Sequence, residues 1–91
     1  KTLVSFLSLA VFCFLSTATY SQTTFTGAIS TDWALADNWS NGLPALGNDA
    51  TIPAGLTVVN YGIIDNNGII DNYGIILNNG FIDNYGTINI N

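Results

Sequence analysis

From Asn60 onward the chain repeats one six-residue phrase: NYGIID, NNGIID, NYGIIL, NNGFID and NYGTIN, followed by Ile90-Asn91. Asn returns at 60, 66, 72, 78 and 84, Gly at 62, 68, 74, 80 and 86, and Ile at 64, 70, 76, 82 and 88. Self-similarity at so short a fixed period specifies a coiled repeat architecture. An ordinary globular domain has no use for it.

Extended chain sends neighbouring side chains to opposite faces, so Ile63 and Ile64 cannot both face inward. One row is Ile in all five phrases, whereas the other runs Ile63, Ile69, Ile75, Phe81, Thr87. A packed interior tolerates little change of volume and an outer face tolerates much. The uniform row is therefore expected inside. The Gly two residues earlier shares that face, either because no side chain fits there or because an Asn-x-Gly corner needs positive φ. A lone phrase cannot fold, because the backbone entropy of ordering six residues, roughly 1–2 kcal/mol each, outweighs one buried Ile. Ladder hydrogen bonds and stacked Asn rows must supply the rest. The Tyr/Asn alternation favours two phrases per coil, and the narrow interior favours three. We expect three, with Tyr61 under Asn79 and Asn67 under Tyr85.

Written from the inward Ile, the phrase (Ile70-Asp71-Asn72-Tyr73-Gly74-Ile75, for example) resembles the hexapeptide repeat of left-handed β-helices. Leu77 and Asn89 depart from it at the second place, and Gly replaces the usual small residue at the fifth. The resemblance does not extend to the acyltransferase activity known in part of that family, since the chain has no His. The expected fold is all-β: a parallel β-solenoid, either a left-handed hexapeptide-like β-helix or a narrow two-sided coil, behind a small β cap.

Three segments follow. Residues 1–21 read as a signal peptide: Lys1, an apolar run over Leu3–Leu15, then small and polar residues. That run is shorter than the roughly 20 residues of a membrane-spanning helix. Cleavage fits after Ala18 or after Ser21, and the second is expected. Residues 22–59 read as the cap, with Thr23–Ile29, Thr51–Pro53 and Leu56–Val59 extended and turns at Asn41-Gly42 and Gly47-Asn48. Trp33, Trp39 and Phe25 supply core bulk, and Asn38-Trp39-Ser40 matches an N-glycosylation acceptor. Residues 60–91 are the repeats. They stop in mid-phrase, so the chain is expected to be an N-terminal fragment of a longer protein.

The cap's wording carries a second resemblance. Phe25-Thr26-Gly27, Ser30-Thr31-Asp32-Trp33, Asp37-Asn38-Trp39, Gly42-Leu43-Pro44, Asp49 and Ile52-Pro53-Ala54-Gly55 fall in the order of a segment that opens many large secreted bacterial surface proteins. Phe25 stands where that segment usually has Trp. The resemblance implies a cap that seeds the first coil of an adhesin-type, cell-surface protein.

Composition narrows the chemistry. The formal charge of −5 becomes −6 once Lys1 leaves, and the mature chain has six Asp and no Lys, Arg, His, Glu or Cys. Nucleic acid is excluded as a partner for want of cations, and Cys or His metal sites for want of ligands. Asp is the one strong general acid or base left. Asp65, Asp71 and Asp83 lie six and twelve residues apart, unlike a calcium loop, and read as a solvated row. The same residues as a glycosidase set is the lesser reading. No cofactor, metal or catalytic residue is assigned.

Tyr61, Tyr73 and Tyr85 occupy the free position, where they can stack on sugar rings or simply pack at corners. Ile63, Ile69, Ile75 and Phe81 are expected to form an exposed apolar stripe beside them. An ice-binding surface would need regular Thr rows, and only Thr87 lies in the repeats. The expected function is a secreted or cell-surface, non-enzymatic structural or adhesive protein, with a glycan, a protein surface or a second copy as partner and no membrane span in the mature chain. The alternative is the N-terminal part of a secreted carbohydrate-active β-helix enzyme whose catalytic coils lie downstream.

Overall fold

A computed structural model describes residues 20–91. The leader expected over 1–21 thus lies outside the described residues except for Tyr20 and Ser21. The described residues are all-β with parallel sheets. Its strands are β1 (Ser21–Thr24), β2 (Asn48–Ile52), β3 (Thr57–Asn60), β4 (Ile63–Asn66), β5 (Ile69–Asn72), β6 (Ile75–Asn78), β7 (Phe81–Asn84) and β8 (Thr87–Ile90). One 3-10 turn, Ala36–Asn38, lies between β1 and β2.

From β2 onward, successive strands go to different sheets. The first side is β1-β2-β5-β8, the second β3-β6 and the third β4-β7. Val58 pairs with Ile76, Ile64 with Ile82 and Ile70 with Ile88, each eighteen residues on. One circuit of the three sides therefore uses three phrases. The expected stacks of Tyr61 under Asn79 and Asn67 under Tyr85 follow from this step.

The uniform Ile row faces inward. Ile64 and Ile70 are buried, and Ile76, Ile82 and Ile88 pack against the same cluster. Ile63, Ile69, Ile75 and Phe81 are exposed. Strands from all three sides contribute to this interior, so each side needs only one apolar row.

The cap closes the base of the same interior. Phe25, Trp33 and Trp39 join Ala50, Ile52, Val58, Ile64 and Ile70 in one cluster. Trp39 meets Phe25 edge-on at 5.2 Å and Trp33 at 4.8 Å between ring centroids, and its indole N–H donates to the Trp33 carbonyl at 2.9 Å. β1 and β2 extend the first side downward. On the second side, the Trp33 N–H donates to the Val59 carbonyl and the Val59 N–H to the Thr31 carbonyl. The 59/60 boundary expected between cap and repeats falls inside β3, whose pairing carries the eighteen-residue step back to Thr57. Below it the step differs: Ala50 pairs with Ile70, twenty residues on. The Pro53–Leu56 turn, with Gly55 at φ 84°, takes up the difference.

The extended stretch expected over Thr23–Ile29 ends early, at Thr24. Gly27 takes φ 62°, and the N–H groups of Thr26 and Gly27 both turn to the Asn38 carbonyl. A strand cannot continue through that conformation. Ser21, the first residue of β1, donates from its N–H to Gly47 at 2.8 Å and from its hydroxyl to Asn48 at 2.9 Å. Cleavage after Ser21 removes these bonds, whereas cleavage after Ala18 keeps them.

Ile70→Asp places an unpaired charge in the interior and should abolish cooperative thermal unfolding, while Ile69→Asp, on the outer row, should shift the midpoint by only a few degrees. Equal loss at both positions would mean that the outer row is also buried in solution.

Candidate functional site

The repeat's polar groups converge on its corners. Asn60, Asn66 and Asn72 are buried although polar. Each Asn Oδ1 accepts the N–H of the Gly two residues on: Asn60 from Gly62, Asn66 from Gly68, Asn72 from Gly74, Asn78 from Gly80 and Asn84 from Gly86, all at 3.0–3.2 Å. The side chain so mimics a backbone turn and closes the corner. Its amide then reaches the next circuit. Asn60 Nδ2 donates to Asn78 Oδ1 at 2.9 Å and to the Phe81 carbonyl at 3.0 Å, and Asn66 Nδ2 to Asn84 Oδ1 at 2.8 Å and to the Thr87 carbonyl at 3.0 Å. The third corner differs, because the inward column there runs Ile52, Asn72, Ile90.

The glycines serve contact between circuits. None of the five repeat glycines has positive φ, so the corner does not need them for backbone conformation. A methyl on Gly80 would strike the Gly62 carbonyl, and one on Gly86 the Gly68 carbonyl. On Gly74 it would strike the carbonyls of Leu56 and Pro53, and on Gly68 it would come within 2.8 Å of Asp49 Oδ1. Around Gly62 the space is open. Glycine is required wherever one corner rests on another.

The surface residues singled out from sequence do not form one site. Tyr61, Tyr73 and Tyr85 are all exposed, but they occupy three different corners: between β3 and β4, between β5 and β6, and between β7 and β8. The eighteen-residue step sets a Tyr against an Asn in each column, so no Tyr ladder forms. The expected apolar stripe is also divided. Ile63 and Phe81 share the third side, Ile75 is on the second with Thr57 below it, and Ile69 is on the first with Thr87 above it. Three phrases per circuit send successive members of any row to successive sides.

The acidic residues divide in the same way. Asp65 pairs in register with Asp83 on the third side, so two carboxylates project from neighbouring strands. On the first side Asn89 lies over Asp71 and donates Nδ2 to its Oδ1 at 2.8 Å. On the second side the corresponding place is Leu77, over Val59. No group of three or more metal-ligating side chains occurs among the described residues.

The cap's polar residues support its own loops. Asn38 is fully buried; its Oδ1 accepts the N–H groups of Ile29 and Ser30, and its Nδ2 donates to Ser30 Oγ and the Asp32 carbonyl. The N-glycosylation acceptor read at Asn38-Trp39-Ser40 is therefore closed to modification in the folded chain. Buried Thr23 ties the Asn41-Gly42 turn to β1, accepting the Asn41 N–H and donating to the Gly42 carbonyl at 2.7 Å. Neither role was visible from spacing, because the partners lie six to nine residues from Asn38 and eighteen or nineteen from Thr23, at no repeated interval.

A cleft of about 200 Å³ opens below β4, bordered by Trp33, Leu43, Pro44, Ala45 and Asp65 among others. It marks the side on which, among the described residues, no strand pairs beneath the first circuit. The loop of residues 43–45 borders the cleft at that unpaired side.

Neither a protein-family model, a curated protein nor a solved structure matches the chain.

Two results test this account of the corners and columns. Gly80→Ala should destabilise the fold by about 1–3 kcal/mol, the usual range for overpacking, whereas Gly62→Ala should be near neutral. Asp83→Asn, which copies the Asn89–Asp71 pairing, should raise stability by about 0.2–1 kcal/mol. Denaturant unfolding checks both. A harmful Gly62→Ala or a neutral Gly80→Ala would refute the contact role of the glycines, and a destabilising Asp83→Asn would refute the repulsion.

Proposed function

We propose that this chain forms an exported, non-enzymatic parallel β-solenoid with a structural or adhesive role at a bacterial cell surface. The observation that carries the reading is the step of eighteen residues, which returns an aliphatic residue to the interior on all three sides and repeats Asn and Gly at two of the three corners. An architecture of this kind lengthens by adding circuits, and each circuit presents a fresh set of outward positions on a constant frame. The cap supports it further. Phe25, Trp33 and Trp39 seal one end of the interior, and Asn38 and Thr23 are engaged in holding the loops around them.

The polar side chains of greatest burial are in this way committed to the frame. What remains outward in the repeats includes Tyr61, Tyr73, Tyr85, Ile63, Ile69, Ile75, Leu77 and Phe81, with the Asp columns on the first and third sides. Such a surface suits contact with a neutral saccharide or a protein better than bond-making chemistry. The leader-like residues 1–21 supply the route out of the cell, and the lack of cations in the rest makes nucleic acid a poor partner.

An antibody against residues 22–91 should label intact cells that produce the protein, and added protease should remove the label. Labelling seen only after lysis would overturn the assignment to the surface.

A further inference from the structure

We infer that the second side, β3-β6, is a self-association face on which a second copy of this chain packs. Each outward place at the sixth position of the phrase is Asp or Asn on the other two sides: Asp65 and Asp83 on the third, Asp71 and Asn89 on the first. On the second side those places are Leu77, which is half-exposed, and Val59, which is buried where the cap pairs with β3, with Thr57 and Ile75 beside them. Ile75 is 54% exposed, Leu77 49%, and Tyr73 at the adjoining corner 54%. The exposed part of these two strands thus carries no formal charge.

Charge decides what covers it. Every formal charge in residues 22–91 is negative. Two copies meeting through the third side would oppose the Asp65–Asp83 pairs, and through the first side Asp49 and Asp71. Through the second side they oppose only apolar and hydroxyl groups, with Asp32 at the base beside Val59. Like charges in apposition are a strong penalty, so the neutral side is where identical copies approach most readily. Two twisted sheets can then pack face to face about 10 Å apart, with Leu77 and Ile75 interdigitating across a two-fold axis. Other occupants fit less well. A saccharide needs hydrogen-bonding groups that the exposed Ile75 and Leu77 do not offer, and an anionic membrane surface would be repelled. The face is small beside the roughly 800 Å² per partner of a stable complex, so association through it is weak and rises with concentration.

The inference rests on the rod reading only for its biological setting, and the two fail separately, since the test uses purified exported protein. Sedimentation velocity of the wild type should show a weight-average coefficient that climbs with concentration and is undiminished as salt is raised, because screening relieves the Asp repulsion and leaves apolar burial intact. Leu77→Asp should remain monomeric over the same range. Its fold should be unchanged by circular dichroism, since Asp holds the equivalent place at 65, 71 and 83. Ile63→Asp, an equal apolar loss on the third side, should associate like the wild type. Leu77→Cys should form a crosslink joining position 77 of two copies. A wild type that stays monomeric throughout would overturn the inference. So would equal loss in Leu77→Asp and Ile63→Asp, or wild-type binding to phosphatidylcholine vesicles without self-association.

Discussion

The structure depends on one contact, the corner at which Asn Oδ1 accepts the N–H of the Gly two residues on. A sharp change of direction every six residues leaves backbone donors with no strand to pair with, and buried unpaired donors are costly. The Asn side chain supplies the acceptor locally, and its amide supplies a donor to the next circuit. Asn60 and Asn66 do both at once, bonding their own glycines and Asn78 and Asn84 above. The same residue therefore sets the bend and fixes the register between circuits. Gly completes the arrangement by letting one corner sit directly on the corner below. With bends and register so fixed, each side needs only one Ile row to define an interior.

Much of this was legible in the sequence. The constant Ile row reads as interior because its neighbour drifts to Phe81 and Thr87, and the burial of Ile64 and Ile70 against the exposure of Ile63 and Phe81 has the same cause. Three phrases per circuit follow from the need to enclose such a row. The role of Gly was only half legible. Positive φ and close contact predict the same residue, and only coordinates separate them: the repeat glycines have ordinary φ, whereas Gly27, Gly42, Gly47 and Gly55 in the cap use the left-handed region.

The cap was less legible because its partners are distant in sequence and its step is irregular. Nothing local says that Asn48–Ile52 joins the sheet of Ile69–Asn72 at a step of twenty, or that Trp33 bonds the far edge of β3. The surface was hidden for another reason. A row of like residues in sequence suggests a stripe, but a period of three sides distributes that row around the axis. Ile63, Ile69 and Ile75 are successive members of one row and lie on three faces.

That division gives the outward positions their meaning. The inward Ile and the corner Gly serve the frame and do not vary, and corner Asn gives way only at Ile90. Variation is left to the first, third and fifth places of the phrase, counted from Tyr61. Because residues eighteen apart share a column, one substitution alters one side and leaves the other two as they were. Asn89 over Asp71 turns a repulsive column into a bonded one on the first side, while Asp83 over Asp65 keeps the charge on the third. Leu77 removes charge from the second. A constant interior with independently written faces is how a chain of such simple composition can present three different surfaces, and the second is the one whose paired strands carry no acid.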